Sequence, residues 1–217
     1  MNYREAMAYV EELGRYGSVM GLTTMRELCV RLKNPQDQLK FVHIAGTNGK
    51  GSILAYVSTV LKEAGYKTGR YISPTVSDYR ERFQVDGRMI TQSGLCKYLE
   101  AVREAAEAMA AEGLPHPTAF EVETAVAFLY FLDKKCDIVV LETGLGGAAD
   151  ATNVVETTLV AAFASISRDH MGILGDTLEQ IASVKSGIIK NKCYVVTVRQ
   201  TPEVVKVLRQ AALLHKA

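Results

Sequence analysis

Apolar residues recur along this chain with two periods, and the boundaries between the periods mark its elements. Met7, Val10 and Leu13, then Leu22, Met25, Leu28, Cys29 and Leu32, fall at helical spacing. This predicts two N-terminal helices, broken across residues 14–21 and ended near Asn34-Pro35, where proline cannot continue a helix. Residues 41–45, Phe-Val-His-Ile-Ala, read as a buried strand running into a glycine-rich turn, with a helix leaving the turn over 52–64. A short strand follows at 67–72, and residues 82–90, centred on Asp86-Gly87, carry the turn signal of a hairpin. Helical periodicity returns at 92–112 and 121–133, the second almost apolar all round, as an interior helix is. The β-branched runs at 137–141, 159–166 and 193–198 predict parallel strands covered on both faces, with helices at 178–190 and 202–215. The alternation predicts a three-layer α/β domain with a mostly parallel sheet and right-handed crossovers. No repeat or linker divides it, so a helical preamble, 1–39, leads into a single core, 40–217.

Composition narrows the partners. An apolar fraction of 48% with 23% charged residues is that of an ordinary globular chain. Twenty-five basic and 24 acidic residues, spread without runs, make no field for nucleic acid or an anionic membrane surface, so neither is an expected partner and any anion must be held locally. The longest apolar runs are strand-sized and the N-terminus, Met-Asn-Tyr-Arg-Glu, is no signal peptide; the expected location is cytoplasmic. Cys29, Cys96, Cys136 and Cys193 are widely spaced and read as buried thiols rather than zinc ligands or disulfides.

The most informative stretch is residues 43–52, His-Ile-Ala-Gly-Thr-Asn-Gly-Lys-Gly-Ser. Consecutive small residues let backbone N–H groups converge on an anion while the following helix directs its positive end there. Thr47, Asn48, Gly49, Lys50, Gly51 and Ser52 are the candidate ATP-binding residues, with Lys50 the mobile charge for the outer phosphates. The strict phosphate-loop pattern fails twice, because Ile44 holds the first glycine position and Gly51 follows the lysine. The fold expected from this loop is P-loop NTPase-like. ATP calls for Mg²⁺, which prefers hard oxygen ligands. Glu142, closing an apolar run, and Ser73, just after the 67–72 strand, are candidates at the carboxyl edge of the sheet, where ligands bind in open α/β folds.

Ala-Gly-Thr-Asn-Gly-Lys-Gly-Ser resembles the variant phosphate loop of folylpolyglutamate synthase and dihydrofolate synthase, relatives of the Mur peptide ligases. Six further stretches match that family in order: Ser73-Pro74 with Tyr79-Arg80-Glu81-Arg82; Thr118-Ala119-Phe120-Glu121; residues 141–147, Leu-Glu-Thr-Gly-Leu-Gly-Gly; Asp150-Ala151-Thr152-Asn153; Asp169-His170 with residues 174–177; and Lys185-Ser186-Gly187 through Lys190. The resemblance implies a Mur ligase central-domain fold and ATP-dependent addition of L-glutamate to dihydropteroate, a folate, or both, through an acyl phosphate. It implies that Ser73, Glu142 and His170 surround magnesium and that Lys50, Glu142, His170 and Lys185 are catalytic, Lys185 as an N-carboxylated lysine. Thr118, Ala119, Phe120, Glu121, Ala149, Asp150 and Ala151 would line the pteroate site. A monomer is expected. Carboxylation needs a neutral amine, hence burial or cationic neighbours; a helix-surface salt bridge is the alternative for Lys185, and packing the alternative for Phe120.

Three positions depart from the family pattern: Thr75-Val76 in place of His-Leu, and Ala148 in place of an arginine. Relatives run to about twice this length and carry a second, Rossmann-like domain, so the chain is expected to be the N-terminal ATP-binding domain, 1–217, without the C-terminal one. A short nucleotide- or folate-binding protein without turnover, and a Mur-type ligase for another substrate, are the rival readings. Residues 144–149, Gly-Leu-Gly-Gly-Ala-Ala, also fit a dinucleotide fingerprint, but the residues after them read as a loop rather than a long helix. Those glycines are expected instead to let backbone approach a pterin or phosphate.

Overall fold

The computed structural model describes residues 1–17, 19–169 and 172–217. The helices are α1 (Tyr3–Glu12), α2 (Thr23–Arg31), α3 (Lys50–Glu63), α4 (Gln92–Ala111), α5 (Ala119–Asp133), α6 (Leu178–Ser186) and α7 (Pro202–Leu214). The strands are β1 (Phe41–Ala45), β2 (Thr68–Tyr71), β3 (Phe83–Val85), β4 (Arg88–Met89), β5 (Ile138–Glu142), β6 (Thr158–Phe163) and β7 (Tyr194–Thr197). They form one sheet in the order β4-β3-β2-β5-β1-β6-β7, parallel except that β3 pairs antiparallel with both β2 and β4. The expected mostly parallel sheet is therefore present.

Strand alternation sends β1 side chains to two different layers. Val42 and Ile44 pack with Leu54 of α3, Val140 and Ala162. On the opposite face Phe41 joins a larger core built from α5, α4 and the N-terminal helices. Ala45 joins a third cluster under α6 and α7. α5 is buried all round, including Phe128 and Phe131, and the Phe128 ring meets Phe41 edge-on, with centroids 5.8 Å apart at 72°. It starts two residues before the sequence signal because Thr118 and Glu121 cap each other reciprocally.

Four expectations need adjusting. α3 begins at Lys50, not at residue 52, because Gly49 takes up a left-handed conformation, φ 89°, and turns the chain straight into the helix. α6 stops at Ser186 rather than near residue 190, where Gly187 comes so close to Ala148 that a Cβ would lie 2.5 Å from the alanine's methyl carbon. The strand at 159–166 is shorter, because beyond Phe163 the chain turns to bridge Asn48 through Ser165. β7 is not covered on both faces: Tyr194 is 77% and Val196 56% exposed. No helix among the described residues is long and apolar enough to cross a membrane.

Phe128 is wholly buried against Phe41, so Phe128→Ala is expected to cost about 3–5 kcal/mol by leaving a cavity. Urea unfolding followed by far-UV circular dichroism measures this as a lowered midpoint.

Candidate functional site

The strand ends converge on one edge. β1 runs into the 46–49 loop, β5 ends at Glu142, β2 is followed by Ser73 and β6 by Ser165. The loop is fastened to the β6 exit: the amides of Thr47 and Asn48 donate to the carbonyl of Ser165, at 2.7 and 3.4 Å. Thr47 Oγ1 donates to the Ser167 carbonyl and accepts from its amide, both at 3.1 Å. The amides of Thr47 and Asn48 therefore bind protein. Those of Lys50, Gly51 and Ser52, in the first turn of α3, have no carbonyl one turn earlier within the helix and are the anion-directed group.

Two lysines meet at the loop. Lys50 Nζ donates to the carbonyls of Gly46 at 3.3 Å and Thr47 at 3.4 Å, and Lys185 Nζ, from α6, donates to the same Gly46 oxygen at 3.1 Å. Lys185 is 4% exposed, so the helix-surface alternative does not hold. Burial first, and then the charge of Lys50, lower its pKa from 10.5 to about 8, against the opposing pull of Asp169 and Asp150. The neutral amine that carboxylation needs is thus accessible near neutral pH.

Glu142 is 6% exposed. Burial raises its carboxyl above the usual range, opposed by Lys50, the Ser73 amide and Arg70. A Cβ at Gly51 would lie 3.9 Å from Oε2, which sets the carboxylate beside the first turn of α3. Among the described residues no three His, Cys, Asp or Glu side chains gather as a metal cage. A buried, oxygen-only donor beside a phosphate loop still fits Mg²⁺, which keeps waters and phosphate oxygens as its other ligands. His170 lies outside the described residues.

A cavity of about 420 Å³ opens beside this edge. All seven residues expected to line a pteroate site, Thr118, Ala119, Phe120, Glu121, Ala149, Asp150 and Ala151, are in its wall, together with Ser73. Thr118 and Glu121 spend their polar atoms on each other: the amide and hydroxyl of Thr118 both donate to Glu121 Oε2, at 2.8 and 2.9 Å. Phe120 lies against Gly144, where a Cβ would be 2.6 Å from the ring. Sequence reasoning missed Arg82 as a wall residue, and with it Glu123 and the Gly17, Val19 and Met20 segment between α1 and α2. Arg82 Nη1 lies 3.4 Å from Glu123 Oε2, and Tyr79 donates to Glu123 Oε1 at 3.1 Å. The acid inside an apolar helix pattern was the available signal for Glu123. The glycines between α1 and α2 were the signal for the other segment.

Within the glycine run 144–147, Gly144 lies in the cavity wall, while Gly146 and Gly147 are required by packing. A Cβ at Gly147 would lie 2.7 Å from the carbonyl oxygens of both Val184 and Lys185, and one at Gly146 would meet Leu174 and Val184. These glycines seat α6 and hence Lys185. A short 3₁₀ turn at Ala151–Val154, not a long helix, follows them, in keeping with the rejection of the dinucleotide reading.

Residues 44–213 match the model of the Mur ligase middle domain. The chain belongs to the Mur ligase family. It is 41% identical over 216 residues to the dihydrofolate synthase/folylpolyglutamate synthase of Bacillus subtilis, covering 99% of this chain and 50% of that protein. A folylpolyglutamate synthase solved with AMPPCP and folate superposes with a TM-score of 0.92 at 33% identity, over 100% of this chain and 53% of that one. The Thermotoga maritima folylpolyglutamate synthase gives 0.90 at 38% identity, over 99% and 48%. This Mur ligase domain therefore spans about half the length of the relatives it matches, and the family likeness drawn from its motifs holds over the whole chain.

Lys185 supplies a pH test. Below about pH 8 both folded and unfolded Lys185 are protonated and the burial penalty is present in full. Between about 8 and 10.5 the unfolded chain binds the extra proton, so stability rises with pH. In bicarbonate-free buffer Lys185→Met is expected to be more stable than wild type at pH 7, with the gap narrowing across that window. Urea midpoints at several pH values measure it.

Proposed function

We propose that this chain is the ATP- and pteroate-binding part of an ATP-dependent ligase that adds L-glutamate to dihydropteroate or a folate. The observation that carries the reading is the single cavity holding all seven pteroate-motif residues, joined through Ser73 to the Glu142 edge of the phosphate loop. The activities for which the relatives are named, and the AMPPCP and folate of the solved complex, support it.

In the proposed reaction a substrate carboxylate attacks the γ-phosphorus of ATP, releasing ADP and forming an acyl phosphate. The glutamate amine then displaces phosphate to give the amide. Lys50 and the first-turn amides of α3 hold the phosphates, and Lys185, free or carboxylated, completes the charge pattern behind Gly46. Glu142 and Ser73, with His170, are the residues that would hold Mg²⁺, whose chemistry is charge neutralisation on the transferring phosphoryl group. The apolar wall around Phe120 takes a flat ring, while Arg82 and Glu123 form the polar end of the cavity. Catalysis is mainly positioning and electrostatic stabilisation.

Calorimetric titration of the 217-residue chain with AMPPCP, with and without MgCl₂, and with dihydropteroate tests this. Both ligands are expected to bind, and Lys50→Ala should weaken AMPPCP about 10- to 100-fold, the loss of charge-assisted hydrogen bonds. Glu142→Gln should remove the magnesium dependence. Binding of a UDP-linked muramoyl peptide in place of dihydropteroate would turn the assignment to another Mur-type substrate, and binding of neither would end it.

A further inference from the structure

β1 carries one polar side chain where its pattern calls for an apolar one. Phe41 and Ala45, two residues to either side of His43 and on the same face, belong to apolar clusters, and the imidazole between them is wholly buried. Its Nε2 lies 2.9 Å from Thr152 Oγ1. That hydroxyl forms a short hydrogen bond to Asp150 Oδ1, which also accepts from the Thr152 amide at 3.0 Å. Asp150 Oδ2 accepts from the Leu145 amide at 2.7 Å. His43 Nδ1 has no hydrogen-bond partner among the described residues.

Counting protons fixes the direction of this chain. A hydroxyl has one proton to give and two lone pairs. Burial raises the Asp150 carboxyl, but the Thr152 hydroxyl and the amides of Leu145, Thr152 and Gly144 all favour its ionised form. As an acceptor it takes the Thr152 proton, so Thr152 Oγ1 must itself accept from His43. The imidazole then carries its proton on Nε2 and leaves Nδ1 bare. Running the chain backwards would put the proton on Nδ1 and bury an N–H with no acceptor, the costlier orphan. Burial, with the charge of Lys190, takes the imidazole's pKa down to about 3, so the ring stays neutral.

We propose that His43 is a positioning residue for the substrate cavity: through Thr152 it orients Asp150, and Asp150 holds the 144–151 segment that forms one wall. The inference rests on the reading of that cavity as the pteroate site. Nothing in the loop motif demands a donor at this strand position, and the core would take a branched aliphatic residue there. Both make the Nε2–H donor itself the reason for histidine.

Ring-nitrogen chemical shifts of the ¹⁵N-histidine-labelled 217-residue chain report the tautomer without any ligand. The expected result is a protonated Nε2 and bare Nδ1, unchanged from about pH 5 to about pH 8; a proton on Nδ1 overturns the proposal. His43→Leu keeps the volume and cannot donate, whereas His43→Gln can donate to Thr152 from its side-chain amide. Dihydropteroate affinity is expected to fall about tenfold or more in His43→Leu and Thr152→Val, and to stay within about twofold in His43→Gln and Thr152→Ser, with AMPPCP binding unchanged in all four. Equal losses in the leucine and glutamine variants, or none in leucine and valine, overturn it. Should His43→Leu not fold, the Thr152 pair decides. Failure of the wild-type chain to bind dihydropteroate would count against the cavity reading alone. The proposal would then stand or fall on the Leu145 amide, expected to exchange with solvent about tenfold faster in Thr152→Val than in wild type, and equal exchange overturns it.

Discussion

One carbonyl oxygen, that of Gly46, receives two ammonium groups, and the geometry of the edge follows from the need to bring them there. Lys50 reaches it from the first turn of α3 and Lys185 from the last turn of α6. Two like charges in a low-dielectric corner repel, so the arrangement persists only because both helices are held independently. α3 is held by the Val42, Ile44 and Leu54 layer. α6 is held by its apolar face, with Ile181 and Ala182 in the second cluster, and by Gly147, which admits the carbonyls of Val184 and Lys185 at a distance no side chain would allow. Gly46 itself is pressed against Ala164, where a Cβ would come within 2.6 Å of the alanine methyl carbon. Positive charge is thus concentrated at this edge by apolar packing, which is how a chain of nearly balanced charge presents a local one.

The cavity depends on the same sheet edge from the other face. α5, buried all round, delivers Thr118 to Glu121 at its first turn, and the exit from β5 delivers Gly144 to Ala151. Ser73 lies in the cavity wall and its amide faces Glu142, so the carboxylate edge and the apolar wall share a residue. Of the three positions where the chain departs from the family pattern, Ala148 is exposed, Val76 is 95% exposed and Thr75 is half-buried.

Elements with a long, one-period pattern were legible in advance. The 41–45 strand is β1 residue for residue, and the edge position of Glu142 follows from an apolar run that ends in an acid. Where reasoning from the residues fell short, the deciding contact was distant in the chain. The stop of α6 is set by Ala148, nearly forty residues earlier, and the exposure of β7 by its place at the end of the strand order, which no local pattern encodes. The 144–147 glycines carry the same composition whether they meet a ligand or a neighbouring helix. His43 shows the same limit, since a lone histidine in an apolar strand gives no sign of its partner 109 residues away. Thr118 and Glu121 show the reverse: their spacing is both a cavity motif and a reciprocal helix cap, so local physics and site chemistry select the same residues.

The open flank of the sheet has a consequence for how the protein behaves in solution. β7 pairs with β6 alone among the described residues and turns Tyr194 and Val196 outward, with Leu213 and Leu214 exposed at the end of the neighbouring α7. A parallel edge strand with unused N–H and C=O groups and β-branched side chains is a template for further pairing. The segment has neither an inward charge nor a proline to blunt it. A further strand would therefore add along this flank and not beside β1 or β5, which are paired on both sides.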